Sequence, residues 1–308
     1  MLVLFIFLIL ALALVIKSAD FAIHYSTRLA ESFKLSKYVV GFLIVAVISI
    51  LPETFISVTS AIEGIPSFGL GTLFGSNVAD LTLVFAIVVL FAGRSLKIET
   101  KIIKNRYLHI GIMFIPILLG LNGYYSRWEG IFLIIIGLAF YYYILKNDGY
   151  DIDVPREKFR ITDLLFLLVS MGFLLLGSHL TVKFGVNFAN ALHVNPVLIG
   201  MFVVGLGTTL PELLFSIRAA KRNHDGLALG DILGTVIADA TIVVGIVALI
   251  SPFAFNSRIV YITGMFMLSG IILLFHLIKT GRVLTKKEAL LLILFYLLFV
   301  SAELVMNY

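Results

Sequence analysis

Gly71-Thr-Leu-Phe-Gly-Ser-Asn-Val-Ala-Asp80 returns 159 residues later as Gly230-Asp-Ile-Leu-Gly-Thr-Val-Ile-Ala-Asp239. Just upstream, Ile50-Leu51-Pro52-Glu53 returns at the same offset as Thr209-Leu210-Pro211-Glu212, and Gly41 with Gly200 and Ser57 with Ser216 keep step. A gapless correspondence between 41–80 and 200–239 implies a duplicated unit. Prolines, glycines and acids hold the register, so the repeat is a pattern of backbone and charge.

Around these segments the chain is apolar: 60% of its 308 residues are hydrophobic and 13% are charged. A water-soluble surface built from that mixture would associate, so lipid is the solvent. Crossing about 30 Å of hydrocarbon takes roughly 17 to 25 helical residues. Such runs are read at 2–30, 37–62, 67–92, 107–122, 128–146, 162–190, 195–220, 225–250, 258–279 and 286–305. The expected fold is all-α with ten transmembrane helices. Continuous apolar runs argue against the ten-residue alternation of a β-barrel.

Each half then holds five helices: a first repeat at 1–146 and a second at 162–308, joined by a polar linker at 147–161 that contains Pro155. Five is odd, so the second copy enters the membrane from the opposite side. Inverted repeats of this kind place their binding site at the repeat interface near the midplane.

The pI near 9.3 could suggest nucleic acid, but the basic residues sort by connection. Nineteen Lys and Arg fall in or beside the odd-to-even connections and the linker, against Arg127 and Arg258 on the other side. That asymmetry places the basic loops and the linker in the cytoplasm and both termini outside, in a multi-pass cell-membrane protein. The opening run from Met1 lacks a basic n-region and continues past Lys17 and Asp20, so it reads as the first span. Cysteine is absent, which removes disulfides, thiolate nucleophiles and Cys metal sites. No oligomeric state is specified, and membrane lipid is the one macroscopic partner implied.

Four carboxylates interrupt the apolar helices: Glu53, Asp80, Glu212 and Asp239. Each costs at least about 2.5 kcal/mol near the bilayer centre, so such residues mark an ion pathway by default. Ser49 shares a helix face with Glu53 and Thr208 with Glu212, while Thr72, Ser76 and Asp80 match Asp231, Thr235 and Asp239. Pro52 and Pro211 each remove a backbone donor, freeing carbonyls near Ala46, Ile48, Gly205 and Gly207. Irregular backbone at this depth must line a cavity. Carboxylate, hydroxyl and carbonyl oxygens without His or Cys suit Ca²⁺.

The paired Leu-Pro-Glu segments, each followed by Gly-x-x-x-Gly-[Ser/Thr]-x-x-Ala-Asp, resemble the two α-repeats of the Ca²⁺/cation antiporter superfamily, most closely its archaeal Na⁺/Ca²⁺ exchangers. The resemblance implies antiport of Ca²⁺ for Na⁺ by alternating access, with no cofactor and no enzymatic activity. It implies Ca²⁺ coordination by Glu53 and Glu212 with Ser49, Thr208 and the carbonyls of Ala46 and Gly205. It further implies flanking Na⁺ sites at Ser76 and Thr235, Asp80 and Asp239 at the centre, and gating by residues 2–30 and 162–190 sliding across the remaining helices. H⁺ or K⁺ are alternative coupling ions. The chain departs from the pattern where Ser49-Ile50 stands for the usual Thr-Ser, costing a hydroxyl, and where Asp80 stands for a frequent Asn, adding a charge.

Blander roles compete. Ser49, Thr208, Ser57 and Ser216 could bond the carbonyl four residues back, and the repeated glycines could serve helix packing. Thr72 and Asp231 read as a solvated entrance as readily as ligands, Lys17 and Asp20 as a local ion pair, and the phenylalanines as lipid-facing bulk. An intramembrane aspartyl protease would carry Gly-x-Gly-Asp, whereas Ala228-Leu229-Gly230-Asp231 stands here. Four carboxylates would repel an anion. A cation channel could use the same residues, and flux against a gradient separates it from an exchanger.

Overall fold

The structure, a computed structural model, describes residues 1–32, 50–98, 103, 105–147, 160–221, 223, 225–279 and 283–307. Ser49, Ala46, Gly41 and linker residues 148–159 lie outside the described residues.

The chain folds as helices α1 (Leu2–Ser32), α2 (Leu51–Ile62), α3 (Pro66–Ala79), α4 (Phe85–Ala92), α5 (Arg106–Leu119) and α6 (Arg127–Asn147). There follow α7 (Ile161–Leu192), α8 (Pro196–Ile199), α9 (Gly205–Thr208) and α10 (Leu210–Lys221). The last are α11 (Asp225–Ala238), α12 (Val244–Ile250), α13 (Met265–Lys279) and α14 (Lys286–Asn307). Among the described residues eight helical spans are long and apolar enough to cross a membrane. Of the other two expected spans, 107–122 is a shorter apolar helix and 37–62 is described only from Ile50 onward.

The 159-residue offset governs the whole fold. It separates the starts of α1 and α7 (Leu2, Ile161), α2 and α10 (Leu51, Leu210), α3 and α11 (Pro66, Asp225), and α6 and α14 (Arg127, Lys286). Even the capping is duplicated. Ser126 N–H donates to Glu129 at 2.7 Å and Thr285 N–H to Glu288 at 2.6 Å, so a capping box opens the last helix of each half. Four two-residue strands tie the halves together: β1 (Leu96–Lys97) pairs antiparallel with β4 (Val283–Leu284), and β2 (Tyr124–Tyr125) with β3 (Phe253–Ala254).

Both prolines sit in the first turn of a new helix, where the missing N–H costs nothing, so the span breaks between α9 and α10 instead of kinking within one helix. After α3 and α11 the backbone widens into single π-turns, Asp80–Val84 and Asp239–Val243. Each begins at one of the buried aspartates. Such bulges re-aim side chains and recur at functional sites.

In the apolar 18-residue stretches of the central spans Pro66–Ala92 and Ala228–Ile250, 83% and 78% of residues are buried, whereas in those of Leu2–Ala22 and Ile161–Leu192 the shares are 29% and 28%. The repeat motifs therefore lie inside a wall of outer helices, of which α1 and α7 pack on each other through Leu8, Leu12, Val15, Leu174 and Val182. Outer faces carry Leu10, Leu165, Trp128 and Leu290 in the open, as a lipid-facing surface requires. The phenylalanines do not all follow: Phe68, Phe74, Phe85 and Phe299 are fully buried, correcting the expectation that they are lipid-facing.

At the junction of the halves, a Cβ on Gly71 would stand 2.9 Å from the Val197 carbonyl oxygen and one on Gly75 2.8 Å from Met201 Cα. Only glycine lets α3 approach that closely. The equivalent neighbours of Gly230 and Gly234, positions 38 and 42, lie outside the described residues.

Candidate ion-binding site

Glu53 and Glu212 occupy the first turns of α2 and α10, and Asp80 and Asp239 open the two π-turns. Their exposures are 1%, 2%, 1% and 0%. Glu212 lies within electrostatic reach of Asp80, Glu53, Asp231 and Asp239, and Asp239 within reach of Glu53 and Asp80, so acids from both halves meet in one region. All eight oxygens of the four carboxylates lack a hydrogen-bond partner, and among the described residues none of the four is paired with a basic side chain. Buried carboxylates are costly to keep ionised without a partner, so these four must either take up protons or be offset by cations.

Thr208 brings a hydroxyl from the second half beside Glu53 of the first. It donates its proton to the Gly205 carbonyl at 3.0 Å, which leaves the oxygen lone pairs facing outward and Glu53 without a donor. The Gly205 carbonyl also accepts from Thr209 N–H at 3.2 Å, so it is engaged and would have to release a bond to ligate an ion. Ser76 donates to the Leu73 carbonyl at 3.0 Å, while the buried Thr235 hydroxyl makes no hydrogen bond. Among the described residues no three Asp, Glu, His or Cys side chains could hold a metal ion by themselves. A cation here needs hydroxyl and carbonyl oxygens too, the mixed set that suits a hard ion.

Ser57 and Ser216 do not bond their own helices four residues back. They donate across to the Gly69 and Ala228 carbonyls, both at 3.3 Å, pinning α2 to α3 and α10 to α11. Thr72 and Asp231 are buried rather than at a solvated entrance, at 0% and 9% exposure. Lys17 and Asp20 form the expected local ion pair at 3.9 Å.

Several buried polar residues escape a reading based on the repeat. Asn77 is fully buried, donates to Met267 Sδ at 3.6 Å and leaves its carbonyl oxygen unpartnered; its repeat mate is Val236, so symmetry hides it. Tyr296 stands near Asp80, and Tyr141 near Asp239 and Asp231. Glu303, 2% exposed, accepts from the Thr263 hydroxyl and lines a cavity of about 90 Å³ with Ser67, Asn195 and Arg258.

A family model described as sodium/calcium exchanger protein matches residues 3–146 and 162–305. The chain is 28% identical over 236 residues to the uncharacterized membrane protein MJ0091 of Methanocaldococcus jannaschii, covering 76% of this chain and 77% of that one. It is 22% identical to the sodium/calcium exchanger MaX1 of Methanosarcina acetivorans, covering 96% and 97%. Among solved structures, the sodium-calcium exchanger NCX_Mj, soaked with Na⁺ and Sr²⁺, superposes with a TM-score of 0.68 at 24% identity, over 98% of this chain and 99% of that one.

Proposed function

This chain belongs to the sodium/calcium exchanger family, a family of membrane cation transporters, and from that premise we propose that it exchanges Ca²⁺ for Na⁺ by alternating access at the four-carboxylate region. In this reading the ten helices form two inverted five-helix repeats, 1–146 and 162–308, with both termini outside. Ca²⁺ is held by Glu53 and Glu212, aided by Ser49, Thr208 and the carbonyls of Ala46 and Gly205. Ser76 and Thr235 complete flanking Na⁺ sites, and Asp80 and Asp239 set the charge at the centre.

The observation that carries the reading is the set of eight buried carboxylate oxygens without a partner. An intramembrane site in that condition is complete only when cations fill it. The crossed pairing of β1 with β4 and β2 with β3 supports inverted halves, because each connection meets the non-equivalent one of the other half: the 159-residue offset carries β2 onto β4 and β1 next to β3, yet these equivalents do not pair with each other.

Gln replaces Glu with nearly the same shape but no charge. Glu53→Gln and Glu212→Gln should each lower Ca²⁺ exchange in proteoliposomes by a hundredfold or more, about 3 kcal/mol of ion binding, with helicity and elution profile unchanged. Near-normal exchange by either folded variant contradicts the assignment.

A second reading keeps the site and changes the counter-ion. Four ionised acids exceed the charge of one Ca²⁺ by two and that of three Na⁺ by one, which favours a proton or K⁺ as an additional passenger.

A further inference from the structure

We propose that His179 of α7 and Glu63 at the end of α2 form a latch, strengthened by protonation, that fastens the outer helix pair to a site-bearing helix and must open in each transport cycle. It rests on the alternating-access reading and adds to it a contact that sets the rate of the movement.

α1 and α7 pack on each other, and the ring pairs Phe7–Phe184 and Tyr25–Phe166, with centroids 5.1 and 5.0 Å apart, set them antiparallel. Lys17–Asp20 lies within α1 and Arg28–Asp163, at 3.6 Å, joins α1 to α7, so both ion pairs stay inside the outer pair. Arg94–Asp225 stays among the inner helices. His179 differs, because its Nδ1 contacts Glu63 Oε1 across the boundary between α7 and α2. Glu63 caps the C-terminus of α2, about 15 Å along the helix from Glu53. An outer helix is thereby tied to the helix that carries a carboxylate of the candidate site.

Both side chains are accessible, at 54% and 24% exposure, so the pair can exchange protons and can part without stranding a buried charge. Histidine changes charge between about pH 5 and 8. Neutral, its ring donates one hydrogen bond to Glu63; protonated, it adds a positive charge opposite the carboxylate. Other charged or titratable groups on the elements packed against α7 are Lys17, Asp20, His24 and Arg28 on α1 and Glu53 on α2, while α3, α8 and residues 200–204 carry none. Gly177 sits against Val15, so Ala13 and Leu14 stand level with His179 and Lys17 lies about one turn farther along α1. Lys183 follows one turn along α7 itself.

The sequence repeats this arrangement of charge. The 159-residue offset takes His179 to Asp20 and Glu63 to Arg222, opposite charges again with the signs exchanged. Arg222 lies outside the described residues. Aspartate and arginine side chains ordinarily titrate far from neutrality, so of the two pairings only the one with histidine responds to physiological pH.

The chain has no cysteine, so His179→Cys with Glu63→Cys introduces a single thiol pair. In proteoliposomes a short bis-methanethiosulfonate should join the two thiols and stop Ca²⁺ exchange, and reductant should restore it, while either substitution alone leaves exchange running in the same reagent. Joined protein that still exchanges overturns the latch, since its opening is then not required. Thiols that do not join overturn the contact, and arrest of the single variants as well assigns the block to modification and overturns the latch. Saturating Ca²⁺ and Na⁺ suppress proton competition at the four carboxylates. Under those conditions the maximum rate should fall about threefold from about pH 7.5 to about pH 5.5, in keeping with a half-exposed histidine ion pair. His179→Gln and Glu63→Gln should each remove most of that fall, and variant profiles that overlay the wild type overturn the control by protons. Wild-type protein that exchanges no Ca²⁺ at all overturns the exchanger reading instead.

Discussion

At the scale of single residues, Asp80 is where this chain parts from the pattern it resembles. Buried opposite Asp239 and within reach of Glu53, it brings the central charge to minus four when all acids are ionised. Such a set takes up protons as a unit rather than one residue at a time. Lowering the pH therefore fills the site with protons that compete with the transported ions. Transport should fall steeply with acid between about pH 8 and pH 5, and Asp80→Asn should flatten that profile while exchange persists. A variant profile that overlays the wild type would make Asp80 structural. Ile50 is the other departure. Its mate Thr209 donates to the Leu206 carbonyl at 3.0 Å, so the hydroxyl missing at position 50 is one that the second half uses inside its own helix.

Between elements, the two halves are fastened by a clasp at the start of α11. Asp225 accepts two hydrogen bonds from Arg94, both at 2.7 Å, and one from Lys97 N–H at 2.7 Å, while Arg94 also donates to the Ala220 carbonyl. A carboxylate at a helix N-terminus adds favourable dipole contact. Burial pushes the Asp225 carboxyl up, but the Arg94 and Lys97 contacts outweigh it and hold the group below the usual carboxylate range. A depressed folded value means the clasp contributes fully above the unfolded pKa, about 3.9, and is lost as pH falls through the lower folded value. Arg94 is one-third exposed, so solvent screens the pair. Asp225→Asn should cost about 1 to 2 kcal/mol at pH 7. The difference in thermal midpoint between variant and wild type should be fully present above about pH 3.9 and shrink as the pH falls through the lower folded value, and a gap that does not shrink with acid would remove the clasp as its cause.

For the whole molecule, the duplication was legible because proline, glycine and buried acid are choices of backbone and charge that a repeat cannot vary freely. The 159-residue offset seen in Pro52 and Pro211 recurs in helix starts, π-turns and capping boxes. What pattern could not reveal are features that break the symmetry. Asn77 faces Val236 across the repeat, Glu303 faces Ile144, and the cross-helix bonds of Ser57 and Ser216 depend on which neighbour packs against them, which spacing does not encode. The site's acids were legible, whereas their lack of partners is a property of the packed interior. The central claim is that this interior couples Ca²⁺ movement to Na⁺. Its most direct test is Ca²⁺ uptake by proteoliposomes loaded with Na⁺ and diluted into Na⁺-free medium. The account predicts accumulation above the external Ca²⁺ concentration that vanishes when the Na⁺ gradient is collapsed and turns to efflux when it is reversed. Ca²⁺ that only equilibrates downhill, at a rate indifferent to Na⁺, would contradict it.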